Sequence, residues 1–349
     1  MSTKRKSRQA GLFDAEFRLR KLDTIGDPLQ KLTIGINWER FRPLLEKGFQ
    51  NDEPAKGPGG RPPFDLLLRF KVLILQSLYN LSDDSMEFQL NDRRTFQRFI
   101  GLDDKDAVPD AKTIWAWRET LTRKGTIEKL FNKFWKVLDE EGIKANSGSI
   151  IDATFVDKPR QRNSKEENDE IKDGRIPEDW KKPENEAKLR QKDIDARWAK
   201  KNDETHYGYK NHVKVDKKTK LIKKCMVTAA SVHDSQAIAD LLDKSDEGKT
   251  IYADSAYSGE DQINEVRNAK AIPRICEKGC RNRSLTKKQM TRNAKLSKTR
   301  ARVEHVFGFM TMSMGGLLIR CVGSVRAKAQ IVMKNLAYNM RRYCVLARI

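Results

Sequence analysis

Ser149-Ile150-Ile151-Asp152-Ala153-Thr154-Phe155-Val156 is the stretch on which the fold turns. Before it, apolar residues recur every three or four positions. Within it they are consecutive and largely β-branched, the pattern of a short buried strand. Asp152 stands in the middle, and an ionised carboxylate in an apolar strand is costly unless it is paired or ligates a metal. The stretch divides a helical first half from a second half in which strands and helices alternate.

Downstream, residues 157–204 are rich in charge, contain Pro159, Pro177 and Pro183, and have few apolar positions. They read as a long exposed insertion, partly disordered, with one helix around Glu186 to Trp198. Strands resume at His206 to Asp216, and Lys217 to Lys220 turns the chain into a paired strand from Leu221 to Ala230. His233-Asp234-Ser235 then caps a helix to Leu242, a helix cap being the ordinary role of such a sequence. Lys249-Thr250-Ile251-Tyr252-Ala253-Asp254 is a fourth strand, ending at a carboxylate. A helix through Val266, a fifth strand at Ala271 to Ile275, a helix around Glu304 and a last helix over 325–345 complete the chain.

Upstream, residues 1–57 form a basic arm and a Pro/Gly-rich linker. Residues 58–143 predict a compact all-helical unit, beginning near Arg61-Pro62-Pro63 and ending with a helix over 126–141, where Leu130, Phe131, Phe134, Trp135 and Leu138 share a face. Within it, Pro109-Asp110-Ala111-Lys112 leads into a helix that suits two arrangements. As the second helix of a helix-turn-helix it would present Lys112, Trp115 and Arg118 to a DNA groove. In a plain bundle, Trp115 and Trp117 would both be core. The remaining residues, 144–349, form the second domain.

The chain has 349 residues and a formal net charge of +21, which points to a polyanionic partner, nucleic acid above all. No apolar run approaches the ~20 residues of a membrane span, so no membrane partner is expected. The N-terminus lacks the apolar core of a signal peptide, and the five cysteines are too few and odd for a disulfide framework. A reducing, cytoplasmic location, associated with the nucleoid, follows as the expectation. Cys276 and Cys280 lack a second Cys/His pair at zinc-finger spacing.

Residues 274–349 hold 18 Lys and Arg but only two acids, Glu277 and Glu304. Glu304 is either an i, i+4 partner for Arg300 or a metal ligand beside a polyanion. The strand order supplies a reason for the second reading. Three strands, a helix, a strand, a helix and a strand, then a carboxylate-bearing helix, match an RNase H-like order. There the first and fourth strands are neighbours, which would bring Asp152 beside Asp254 with Glu304 reaching in. Three such carboxylates suit hard divalent ions, Mg²⁺ first and Mn²⁺ as a substitute, two per site. The fold class expected is therefore α+β, an N-terminal all-helical DNA-binding domain followed by an RNase H-like α/β catalytic domain.

Five motifs in order carry a resemblance: Ile151-Asp152-Ala153-Thr154, His206 to His212, Thr228 to Asp234, Tyr252 to Gly259, and Arg300 to Phe307. Together they resemble the DDE transposases of bacterial insertion sequences, the insertion-sequence-five group in particular. The resemblance implies Asp152, Asp254 and Glu304 as a catalytic, metal-binding triad. It also implies double-stranded DNA partners (terminal inverted repeats and target), 3′-strand cleavage with strand transfer, and a homodimer in the synaptic complex. Lys112, Arg118, Lys210, Lys298, Arg300 and Arg302 are the DNA-binding candidates. The group's Tyr and Lys on the face of Glu304 are replaced here by Ser297 and Thr311, and Lys295, Lys298 or Arg302 are the nearby cations able to stand in. His305 orients Glu304, touches DNA or is a plain surface residue, and Trp198 either stacks a base or packs. The competing readings are another RNase H-like nuclease and an inactive, domesticated DNA-binding protein.

Overall fold

The computed structural model describes residues 14–50, 63–103, 105–280 and 284–348. The basic N-terminus and most of the Pro/Gly linker lie outside these residues. Helices α1 (Asp14–Ile25), α2 (Pro28–Gly35), α3 (Arg42–Phe49), α4 (Leu66–Tyr79), α5 (Asp83–Asp92), α6 (Arg94–Ile100), α7 (Ala111–Arg123) and α8 (Thr126–Glu140) come first. Their starts are written in short polar side chains that accept otherwise unpaired N–H groups of the first turn. Asp27 accepts from Leu29, Asp65 from Leu67, Ser82 from Ser85 and Asp110 from Thr113, at 2.7–3.1 Å. α4 ends at Asn80, whose left-handed backbone (φ 52°) closes the helix.

The second half follows as β1 (Ser149–Asp157), α9 (Lys165–Lys172), α10 (Glu186–Gln191), β2 (Arg197–Lys201), β3 (Glu204–Asp216), β4 (Ile222–Ala229), α11 (Ile238–Leu241), β5 (Thr250–Ala253), α12 (Glu260–Asn268), β6 (Ile272–Ile275), α13 (Lys287–Met312) and α14 (Ser324–Leu346). The strands form one mixed sheet. β3 is long enough to pair with β1 along one edge and with both β2 and β4 along the other, all antiparallel. β1, β5 and β6 run parallel. The expected adjacency of the first strand and the strand ending at Asp254 is therefore present.

The first-half helices do not close a core of their own. A single apolar cluster runs from Leu29 on α2 through Phe70, Phe99 and Phe134 to Val213 on β3 and Met340 on α14. α14 causes the merger, since it is buried almost all round from Ala327 to Cys344 and lies between α4 and α8 on one side and β4 on the other. Its buried polar side chains are satisfied there. Asn335 exchanges two hydrogen bonds with Asn211, while Asn339 accepts from the N–H of Ile222 and donates to its carbonyl, at 2.8–3.1 Å. The helical unit expected at 58–143 thus shares its interior with the C-terminal helix and one face of the sheet.

Two further expectations change. The insertion is folded, because its charges are paired within it and it has a small interior around Trp180. Ser164 and Glu167 form a capping box, and Glu167 also accepts from Trp180 Nε1 (2.7 Å) and Lys188 Nζ (2.6 Å). Its end is anchored by Asp193, buried against Lys158 (2.8 Å) and the Tyr209 hydroxyl (3.0 Å). The strand β2 replaces the end of the helix expected up to Trp198. The helix-turn-helix reading also fails in its connection, since residues 101–110 separate α6 from α7, far more than a three- or four-residue turn. Trp117 is buried and Trp115 is 49% exposed.

Arg118, expected to face DNA, is turned into the protein. Its guanidinium grips Asp83 with two bonds of 2.6 and 2.7 Å and donates to Gln76 at 2.8 Å, tying α4, α5 and α7 together. Burial raises the Asp83 pKa, but the Arg118 hydrogen bonds and charge outweigh it and leave the carboxyl below its usual range. The stability contributed by Asp83 is accordingly present above the ordinary carboxylate range and lost only as pH falls through the depressed value. Arg118→Ala should lower the unfolding free energy by about 3 kcal/mol in urea denaturation, because it leaves Asp83 uncompensated. Unchanged stability with weakened DNA binding would restore the groove-facing reading.

Candidate active site

Asp152 and Asp254 reach the same place because the parallel register puts them there. Ile150 pairs with Tyr252, so two residues further on each chain the aspartates come level, on one face of the sheet. Each uses one oxygen locally. Asp152 Oδ1 accepts from Ala153 N at 2.8 Å, and Asp254 Oδ1 accepts from Ala256 N at 2.9 Å, which opens a short helical turn over Ser255–Tyr257. The other oxygens converge on one cation. Arg300 Nη2 on α13 lies 3.2 Å from Asp152 Oδ2 and 3.9 Å from Asp254 Oδ2.

The electrostatics follow from this placement. Burial raises the Asp152 pKa, the Asp254 charge adds to the rise, and Arg300 and the Ala153 N–H oppose it, leaving a net upward shift. The Arg300 guanidinium is imperfectly satisfied, since its buried Nε has no hydrogen-bond partner among the described residues. A cation held by two oxygens yet missing one of its own acceptors is weakly committed to its place.

Glu304 stands one turn beyond Arg300 on α13, exposed, and forms no ion pair among the described residues. Val303 and Val306 beside it are fully buried and fix the helix. The structure therefore joins Asp152 with Asp254 but does not bring Glu304 into the pair; among the described residues no three acids, cysteines or histidines form a metal-sized group. The pair itself fits a hard divalent ion, offering two carboxylate oxygens converging where positive charge is already accepted.

The cations expected around the site divide. Lys210 is not at the surface: its ammonium donates to Asp234 Oδ1 (2.8 Å) and the Val232 carbonyl (2.7 Å) and lies 5.1 Å from the Phe155 ring. The pairing with Asp234 accounts for its burial. Arg300 is turned inward. Arg302 donates to the Lys217 carbonyl at 2.7 Å, and Lys112, Lys298 and His305 are exposed. His233 caps the turn that follows it, accepting from Ser235 N. Trp198 is 40% exposed, with its ring 4.8 Å from Tyr207 and the Arg160 guanidinium 5.6 Å from it.

Sequence reasoning gives Tyr257 no role, yet its fully buried hydroxyl has no hydrogen-bond partner among the described residues. Burial, then the charges of Asp234, Asp152 and Asp254, push its pKa upward, so it stays a neutral donor. Its position three residues after Asp254 was the available signal. A cavity of about 500 Å³ lies away from the carboxylates, between α7 and residues 317–322. The side chains of Asp152 and Asp254 are instead partly exposed, at 17% and 32%.

Arg300→Gln should leave two like charges facing each other and lower stability by about 1–3 kcal/mol at neutral pH. Removing the cation pushes the already raised Asp152 pKa further up. A carboxyl with a raised folded-state pKa destabilises the fold at high pH and is relieved as pH falls through that value. The deficit of Arg300→Gln should therefore shrink on acidification in urea denaturation between pH 8 and 5. A pH-independent deficit would show that Arg300 does not compensate the pair.

Two family models match the chain. One, described as "Transposase DDE domain", spans residues 144–340, and another, "Transposase domain (DUF772)", spans residues 17–120. Among solved structures, the cryo-EM structure of the piggyBac transposase synaptic complex with hairpin DNA is 11% identical. It aligns over 92% of this chain and 76% of its own length with a TM-score of 0.46.

Proposed function

The chain belongs to the DDE transposase family, and from that premise we propose that it cuts and joins the DNA ends of an insertion sequence of the insertion-sequence-five type. The carrying observation is the convergence of Asp152 and Asp254 on one cationic group at the rim of the β1–β5 pair. The family implies dependence on a divalent metal. We assign Mg²⁺, two ions per site with Mn²⁺ as a substitute, to Asp152 and Asp254, with Glu304, which stands outside the pair here, completing the set once metal and DNA draw α13 in. In support, Glu304 follows Arg300 by four residues, on the same flank of α13.

In this reading the strand order β4–β3–β1–β5–β6 is RNase H-like, residues 144–349 are catalytic, and residues 58–143 with the basic arm grip the terminal inverted repeats. Bound divalent ions supply neutralisation of the scissile phosphate and an activated attacking oxygen. The protein's part is to fix positions. β1 and β5 hold the aspartates level, the Ala153 and Ala256 N–H groups orient them, and Arg300 leaves the pair for a phosphate oxygen when the DNA strand arrives. Water attacks the phosphodiester at each end, the P–O bond to the 3′ oxygen breaks, and that freed 3′ hydroxyl, losing its proton, then attacks a target phosphodiester, whose own P–O bond to its 3′ oxygen breaks to leave a target 3′ hydroxyl. No side chain becomes covalently attached. Two ends handled together call for a homodimer in the synaptic complex, acting on nucleoid DNA in the cytoplasm.

The test is nicking of a labelled duplex carrying the element's terminus, with Mg²⁺ or with EDTA. Asp152→Asn, Asp254→Asn and Glu304→Gln should each reduce cleavage at least about a hundredfold while end binding persists. Metal-independent nicking, or full activity in Glu304→Gln, would overturn the assignment. Tight end binding without cleavage by the unaltered protein would favour a DNA-binding role.

A further inference from the structure

The ring of Tyr257 is fully used by the fold, and its hydroxyl is not. The ring packs in the apolar cluster that holds Ile151, Ile238, Ile251 and Ala253. Ile151 precedes Asp152 on β1 and Ala253 precedes Asp254 after β5, so the ring belongs to the strand segments that carry both aspartates. Asp254 itself closes the turn that holds Tyr257. Its Oδ1 accepts from Ala256 N at 2.9 Å, and its carbonyl accepts from Tyr257 N at 3.2 Å. Packing and backbone thus fix the side chain. Its hydroxyl is fully buried and has no hydrogen-bond partner among the described residues. Such a group is a cost to the fold, and phenylalanine would fill the same space without it.

The acceptor it serves can be narrowed to one. Burial, then the charges of Asp234, Asp152 and Asp254, keep the phenol protonated, while Arg300 opposes them. Asp234 lies on the turn over residues 234–237, which packs against the Tyr257 turn, and already accepts from Lys210 Nζ at 2.8 Å. Asp152 Oδ2 and Asp254 Oδ2 have only Arg300 among the described residues, at 3.2 and 3.9 Å. Asp152 is the more enclosed of the two, so losing that cation costs it more. We propose that Tyr257 is a positioning residue whose hydroxyl waits unpaired while Arg300 holds the aspartates, and donates to the Asp152 carboxylate once Arg300 withdraws. The inference rests on the exchange of Arg300 described above, although its first test needs neither metal nor DNA. Carboxylates that hold a metal are oriented by outer hydrogen bonds of this kind. Asp152 Oδ1 already receives one from Ala153 N, and Tyr257 supplies another when the arginine leaves.

The experiment compares the full-length protein, Tyr257→Phe, Arg300→Gln and the double variant in urea, without metal or DNA. Tyr257→Phe keeps the ring and removes an unpaired hydroxyl, so its unfolding midpoint should equal or exceed that of the unaltered protein. In the Arg300→Gln background the same change should lower the midpoint, and adding Asp152→Ala should erase that loss. With metal, Tyr257→Phe should weaken Mn²⁺ binding, read by electron paramagnetic resonance, and end nicking, each by about tenfold. A lowered midpoint in the otherwise unaltered protein would make the hydroxyl an ordinary structural donor and overturn the proposal. So would equal midpoint changes in the two backgrounds, or unchanged Mn²⁺ binding. A loss in Arg300→Gln that persists without Asp152 would assign the hydroxyl to another acceptor and overturn it as well. Should Arg300→Gln not fold, Mn²⁺ binding by Tyr257→Phe decides. If the unaltered protein nicks no end, the transposase reading fails by itself, and the urea comparison decides the role of Tyr257.

Discussion

Two carboxylates on neighbouring parallel strands must have a cation, and the second half of the molecule is arranged around that requirement. The register that pairs Ile150 with Tyr252 brings Asp152 and Asp254 level, and the backbone N–H groups of Ala153 and Ala256 turn their free oxygens the same way. Arg300 supplies the charge, at 3.2 and 3.9 Å. It can do so only because α13 is clamped by Val303, Val306 and Met310, all fully buried. The aspartates thus specify where a helix must lie whose Arg300 is 148 residues from Asp152, and the helix specifies which charges reach them.

The same helix reaches the first half of the molecule through its end. α13 closes into a turn at Gly315, whose φ of 70° favours glycine and where an added Cβ would meet the Tyr79 carbonyl at 2.7 Å. Asn80 at the end of α4 donates to the Gly315 carbonyl, and the buried Lys334 of α14 donates to that of Met314. Burial lowers the Lys334 pKa to about 8, so its ammonium is held by that carbonyl with little margin. The helices that precede the sheet are therefore mechanically joined to the helix that carries Arg300 and Glu304, and α14 makes one interior of both.

Much of this arrangement could be read before any coordinates. β-Branched runs marked β1 and β5, and a polar residue within or just after each run marked Asp152 and Asp254. The caps at Ser82, Asp110 and His233 act over two or three residues, so local sequence suffices. What escaped was set by distant partners. Nothing near Arg118 announces Asp83, and nothing near Lys210 announces Asp234, so both cations look available for DNA until the fold pairs them. The insertion has so few apolar residues that it reads as unstructured, although its Ser164–Glu167 capping box was visible. The separation of Glu304 from the aspartates was hidden for another reason. Helical spacing fixes which residues share a face but not how far the face stands from the sheet.

Under the proposed function, Asp152 and Asp254 form a cation site in which Arg300 and a divalent ion compete. Titration of the DNA-free protein with Mn²⁺, read by electron paramagnetic resonance, tests this directly. Arg300→Gln should bind Mn²⁺ several-fold more tightly than the unaltered protein, about 1 kcal/mol in binding free energy. Asp152→Asn and Asp254→Asn should each abolish the bound-ion signal. Mn²⁺ binding that survives both aspartate substitutions, or that weakens in Arg300→Gln, would contradict it.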